Sequence, residues 1–241
     1  MLGKVPQYRS TIRNYVIAFG EIFNDITIER KDSTGAVEKY IKVPLSYGPT
    51  EKFLSRLEAN SSNNEVAIVL PRMSFEIAGI SYDPTRKRNK LRGVRKPKEL
   101  GSTSSDFIYN PVPYDIDFTL SLMVKNAEDG TQILEQILPF FTPSFNVPIK
   151  EVAEFDVVND TPFILNSVDV QDDYEGDYLT RRSLIWSLGF TVKGHIWGGS
   201  GSKDVINTAI TNISEIDGNE TRQLSTATVP NDFGFGADLP E

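Results

Sequence analysis

Cysteine is absent from the 241 residues, and histidine occurs once, at His195. The first absence excludes disulfides, thiolate metal sites and cysteine nucleophiles. The second removes any site built on two histidine ligands and leaves one candidate for a histidine-dependent triad. No run of about 18 apolar residues occurs, so the sequence offers no membrane-spanning helix. The opening stretch MLGKVPQYRSTIRNY lacks the apolar core of a signal peptide. There is no P-loop and no GxGxxG, and Gly198-Gly199-Ser200-Gly201 lacks the lysine and helix of a phosphate cradle. No GxSxG nucleophile elbow exists. Composition therefore argues against most enzymes before any pattern is read.

What remains is the composition of an ordinary folded chain, 39% apolar and 24% charged, long enough to bury a core. The charge is uneven. The net of −8 comes from 25 basic and 33 acidic residues. Residues 85–98, TRKRNKLRGVRKPK, hold eight basic residues and no acid: Arg86, Lys87, Arg88, Lys90, Arg92, Arg95, Lys96 and Lys98. A cationic segment on an acidic chain reads as a contact device for phosphates or for an acidic protein patch, a second copy included. The plainer reading is a solvated loop. No aromatic lies in the window, so a nucleic-acid contact there would be to the backbone and not to the bases.

Hydrophobic periodicity supplies the elements. Ile12, Tyr15, Val16, Phe19, Ile22 and Phe23 recur at helical spacing over 9–24. The stretches 26–31 and 37–45, joined by Asp32-Ser33-Thr34-Gly35, read as a β-hairpin. Residues 50–59 read as a short helix behind Pro49, and 66–82 as extended with a break at Pro71. Phe118, Leu120, Leu122 and Val124 alternate on one strand face. Residues 127–138 form a second helix, with Ile133, Leu134, Ile137 and Leu138 as its stripe and Pro139 as its stop. Residues 163–170 read as a strand, and 181–197 as the longest, with Leu184, Trp186, Leu188, Phe190 and Val192 inward.

Between those strands an acidic turn carries Asp172, Asp173, Glu175 and Asp177, without the alternating oxygens and late glutamate of a calcium loop. Arg181 and Arg182 follow it, either as a sheet-edge salt bridge or as an intersubunit clamp. Residues 198–202, GGSGS, read as a flexible joint. Beyond it the chain is acidic, with a β-branched cluster that includes Val205, Ile206, Ile210 and Ile213. Such a tethered segment is suited to adding a strand to a sheet edge, a neighbour's above all. The expected fold is α+β: one mostly antiparallel sheet covered by two or three helices, with an extended C-terminal arm. Residues 1–198 read as a single domain and 199–241 as joint and arm.

Several stretches resemble the tail sheath stabiliser, or tail completion, family of T4-like contractile-tailed bacteriophages. They are ILEQILPFFTPSFN (133–146), EGDYLTRRSLIWSLGFTV (175–192), FGEIFNDITIER (19–30), IKVPLSYG (41–48), VLPRMS (69–74) and YNPVPYD (109–115), in family order. The resemblance implies a non-enzymatic virion part with no catalytic, cofactor or metal residues. It implies a homohexameric ring at the tail–neck junction, assembled in the host cytoplasm. That ring would cap the sheath protein and the tail tube terminator and serve as platform for neck and head-completion proteins. The cationic window and the C-terminal part take no role from it. The rival readings are a nucleic-acid-backbone module using 86–98 and a hydrolase with carboxylate chemistry.

Overall fold

The computed structural model describes residues 8–32, 35–53, 55, 70–98, 104–171, 184–204, 208–214 and 221–228. Of the last two segments, only the backbone is described. The described chain falls into two compact units, one within 8–87 and 112–196 and a smaller one within 88–111 and 197–228.

The larger unit is built on helix α1 (Thr11–Phe23), the hairpin β1 (Thr27–Lys31) and β2 (Val37–Lys42), and the strands β3 (Leu45–Tyr47), β4 (Arg72–Tyr82) and β7 (Val112–Val124). Helix α2 (Ala127–Ile137) and strands β8 (Ser144–Val152), β9 (Val157–Gln171) and β10 (Leu184–Ile196) complete it. Its six-stranded sheet runs β3-β4-β7-β10-β9-β8, antiparallel except for the β3–β4 pair. Strict alternation sets the register at its centre: Trp186 opposes Leu122, Leu188 opposes Leu120, and Phe190 opposes Phe118. All six are buried, as expected where one sheet face carries the core.

Helix α1 lies on that face because its apolar stripe is aromatic. Phe19 stacks on Phe118 with ring centroids 4.6 Å apart and meets Phe190 edge-on at 5.3 Å. Helix α2 covers the next part of the face through Ile133 and Ile137. The β1–β2 hairpin is tied to α2 by a two-pronged ion pair from Arg30 to the buried Asp129, whose Nη2–Oδ2 arm is 2.8 Å.

The smaller unit holds a three-stranded antiparallel sheet, ordered β11-β6-β5, from β5 (Gly93–Pro97), β6 (Ser104–Tyr109) and β11 (Ser200–Asp204). It also holds the hairpin β12 (Thr208–Ser214) and β13 (Thr221–Thr228).

Two expectations are corrected. The large sheet is curled and carries bulges in its β4–β7, β8–β9 and β9–β10 pairs, and the described residues form three further, smaller sheets. Alternation identifies the face a residue takes but not the number of sheets. The glycine-serine stretch is also no free joint from Ser200 onward, because Ser200–Asp204 pair with Ser104–Ile108. Gly201 is required there: a Cβ would stand 2.8 Å from the Phe107 ring. Of the helix expected at 50–59, residues 50–53 and 55 are helical and the others lie outside the described residues.

Candidate assembly surfaces

The cationic window does not act as one group. Arg86 turns into the larger unit and is only 26% exposed. Its Nε donates to Asp83 Oδ2 at 2.7 Å, and its Nη2 donates to Asp115 Oδ1 at 2.6 Å and to the Tyr114 carbonyl at 3.2 Å. Lys193 closes the cluster with a bond to Asp115 Oδ2 at 2.6 Å. The Thr85 hydroxyl, and after it Arg86, hold the Asp83 carboxyl well below the usual carboxylate range. Arg86 thus anchors the β4–β7 end of the sheet and drops out of the contact candidates.

The rest of the window is exposed. Lys87 ends the larger unit, and Arg88, Lys90, Arg92, Arg95, Lys96 and Lys98 belong to the smaller one, all with solvent-exposed side chains. No apolar alternation marks a strand here, yet Gly93–Pro97 form β5. Gly93 permits it, since a Cβ would fall 2.2 Å from the Ile108 carbonyl oxygen. Lys98 lies 3.7 Å from Asp106, while Arg88, Lys90, Arg92 and Arg95 have no ion-pair partner among the described residues. Lys203 on β11 sits over the Phe107 ring at 4.8 Å. The result is a small sheet whose β5 carries the exposed Arg95, with the exposed Arg88, Lys90 and Arg92 in the segment that leads into it.

The other sequence candidates divide. Asp172, Asp173, Glu175, Asp177, Arg181 and Arg182 lie outside the described residues, as do Val205 and Ile206. Ile210 and Ile213 fall in β12, at register positions opposite Thr226 and Arg222. His195 sits in a closed polar network rather than a cleft. Its Nδ1 is 3.3 Å from Oε1 of the buried Glu151. Its backbone N–H donates to the Tyr15 hydroxyl at 2.8 Å, and that hydroxyl donates to Glu151 at 2.9 Å. Asn159 fills the other carboxylate oxygen at 2.7 Å. Burial and the Glu151 charge raise the Tyr15 pKa far above 10, so the phenol stays protonated. Such a network joins α1, β8, β9 and β10, and each member is occupied by the others. Among the described residues no group of three metal-ligating side chains occurs.

One surface escaped the sequence reading. The end of α1, the end of α2 and the start of β8 enclose an apolar cleft of about 650 Å³, lined by Ile22, Phe23, Ile137, Phe140, Phe141 and Phe145. Phe141 is buried, but its neighbour Phe140 is 64% exposed. The signal was the pair of phenylalanines between Pro139 and Pro143, which cannot both enter the core from one short turn.

The family model described as T4-like virus Myoviridae tail sheath stabiliser matches residues 6–236. The Tail completion protein gp15 of Enterobacteria phage T4 is 33% identical over 198 residues, which cover 79% of this chain and 71% of that protein. The chain belongs to the tail sheath stabiliser family of T4-like myoviruses.

Proposed function

We propose that this phage tail protein acts without chemistry, as a homohexameric ring at the tail–neck junction. The ring caps the sheath protein and the tail tube terminator, and its outer face receives the neck and head-completion proteins. It assembles in the host cytoplasm before the tail joins the head. Family membership supports the tail location, and the relative's name, a tail completion protein, supports the position at the tail's end.

The observation that carries the ring is charge segregation. The smaller unit displays Arg88, Lys90, Arg92 and Arg95 without ion-pair partners among the described residues. In the larger unit, residues 112–171 hold ten acids against two lysines; Asp129 and Glu151 are buried and Asp115 is paired inside the fold, while Glu128, Glu135, Asp160 and Asp169 are exposed. Opposite patches at different places on one chain favour heterologous contacts, which close into rings when the rotation allows. Native mass spectrometry of the purified protein tests this: a single hexameric species is expected. Negative-stain images of tails assembled with and without the protein test the capping role, and unprotected sheath ends are expected without it. Tails of normal length and stability in its absence would refute that role.

A further inference from the structure

Strand β9 is longer than the strand beside it. β8 pairs with β9 only as far as Ile164, starting at Ser144, whereas β9 continues to Gln171 with β10 as its sole partner. One edge of Ser167–Gln171 therefore presents backbone groups that no other described residue takes up. The same stretch shows unfinished apolar cover. Val168 and Val170 oppose Leu188 and Trp186 and so share the core-side face, yet they are 36% and 58% exposed.

Open edges are normally blunted by lysine, proline or a bulge. β8 carries Pro148, and β5 carries Arg95, Lys96 and Pro97. The outer stretch of β4 beyond Phe75 is interrupted by the bulge at Ala78. Ser167–Gln171 has no such device: its β9–β10 bulge lies before it, at Asn166, and its one charge is Asp169.

The hairpin β12–β13 has the converse problem. A two-stranded ribbon is marginal in water without a third strand or an apolar support. Among the described residues no third strand joins it. β12 is regular and carries neither charge nor proline, while the bulge falls on β13 at Leu224. The only charge in either strand is Arg222, opposite in sign to Asp169.

We propose that β12 of one copy adds to Ser167–Gln171 of the next, continuing the line of β8 and covering Val168 and Val170. This rests on the homomeric ring proposed above and names its contact. Donor and acceptor are different patches, so each copy gives one strand and takes one, as a ring requires. The pairing is main-chain, which tolerates the weak side-chain pattern of β12.

The chain has no cysteine, so introduced thiols report only on each other. Facing strand residues have Cα atoms about 4.5–5.5 Å apart, within disulfide reach. Single cysteines at Val168, Asp169 and Val170 are mixed pairwise with single cysteines at Ala209, Ile210 and Thr211 and oxidised. At one register, the mixed disulfide dimer is expected at least tenfold above either homodimer. The corresponding double variant should oxidise to a ladder ending at the closed ring. Asp169→Lys, on the exposed edge, is expected to keep the monomer's melting temperature and lose the multimer. If wild type is a multimer but no register cross-links between copies, strand addition is overturned and the ring reading stands. A multimer that survives Asp169→Lys also overturns the edge. A disulfide that closes only within one chain means the hairpin fills its own edge, which overturns the exchange. A wild type that stays monomeric overturns the ring reading, and the exchange with it.

Discussion

The indole of Trp186 lies directly on Gly130 of α2, so closely that a Cβ there would stand 3.1 Å from two ring atoms. Two distant parts of the sequence meet at this point, and neither residue can change without the other. Truncating Trp186, which is 7% exposed, to alanine should cost about 3–5 kcal/mol. Gly130→Ala gains about 1 kcal/mol of helix propensity but overpacks the ring at about 1–3 kcal/mol, so the net effect should be destabilising. Trp186→Phe shrinks the ring and should relieve that clash. Denaturant unfolding of the four-protein cycle is expected to give a double variant more stable than the sum of its singles.

Arg86 should behave unlike its cationic neighbours. Arg86→Glu places a third acid beside Asp83 and Asp115, and its melting temperature should fall clearly. Glutamate at Lys87, Arg88 or Lys90 should leave stability within about 0.5 kcal/mol, as at other exposed sites. Thermal unfolding of the four single variants distinguishes them.

The same cluster sets a pH dependence. The Asp83 carboxyl titrates below its ordinary value in the fold, so the folded state binds fewer protons there than the unfolded chain. Its contribution is therefore present above the unfolded pKa of about 3.9 and is lost as pH falls through and below that value. Asp83→Asn should lower stability at neutral pH and flatten the decline below about pH 4. Urea unfolding at a series of pH values reads both effects.

The sequence disclosed the parts of the fold in which one periodicity dominates. Leu184 to Val192 alternate without a break, Phe118, Leu120, Leu122 and Val124 recur at every second position although Ser121 and Met123 between them are buried too, and α1 and α2 carry apolar stripes, so all four elements were legible. β5 was not, because Arg95 and Lys96 mask a strand held by main-chain pairing to β6. β11 was hidden for the opposite reason: Ser200-Gly201-Ser202 has the composition of a linker, and the close approach of Phe107 is a tertiary fact. For the candidate surface, charge alone grouped Arg86 with Arg88, although Asp83 and Asp115 claim the first. No local pattern distinguishes the two arginines; the partners come from β4's end and from β7.

Phe140 and Phe141 offer a paired test of the cleft. Phe141, 9% exposed, packs 5.1 Å from Phe190 by ring centroids, and its loss to alanine should cost about 3–5 kcal/mol. Phe140 stands in solvent over most of its surface, so Phe140→Ala should cost under about 1 kcal/mol. Equal losses in chemical unfolding would place Phe140 in the core.

Reversing Arg88, Lys90, Arg92 and Arg95 to glutamate removes four of the window's exposed cations without touching Arg86. The monomer should remain folded, and assembly should weaken, with the gap from wild type widest at low salt, where charges are least screened. The same variant tests the nucleic-acid reading. Backbone binding through these residues predicts a log–log salt slope of roughly −0.9 per phosphate neutralised, and the reversal would abolish it. Unaltered assembly and no DNA binding in either protein would make the segment only a solvated edge.

The position of β11 decides how the C-terminal arm can be removed. A cut before Ser200 strips β6 of one neighbour, leaves β5–β6 as a two-stranded ribbon, and takes Lys203 off the Phe107 ring. Such a truncation should lose amide protection in β5 and β6, and any assembly defect would reflect local unfolding. A cut after Asp204 keeps all three strands and removes β12, β13 and the residues beyond. That shorter protein should melt as the full chain does and show unchanged exchange in β5 and β6. It should nonetheless run as a monomer at concentrations where the full chain is multimeric. If it forms the same multimer and still caps tails, residues 205–241 are dispensable and the arm has no part in the ring.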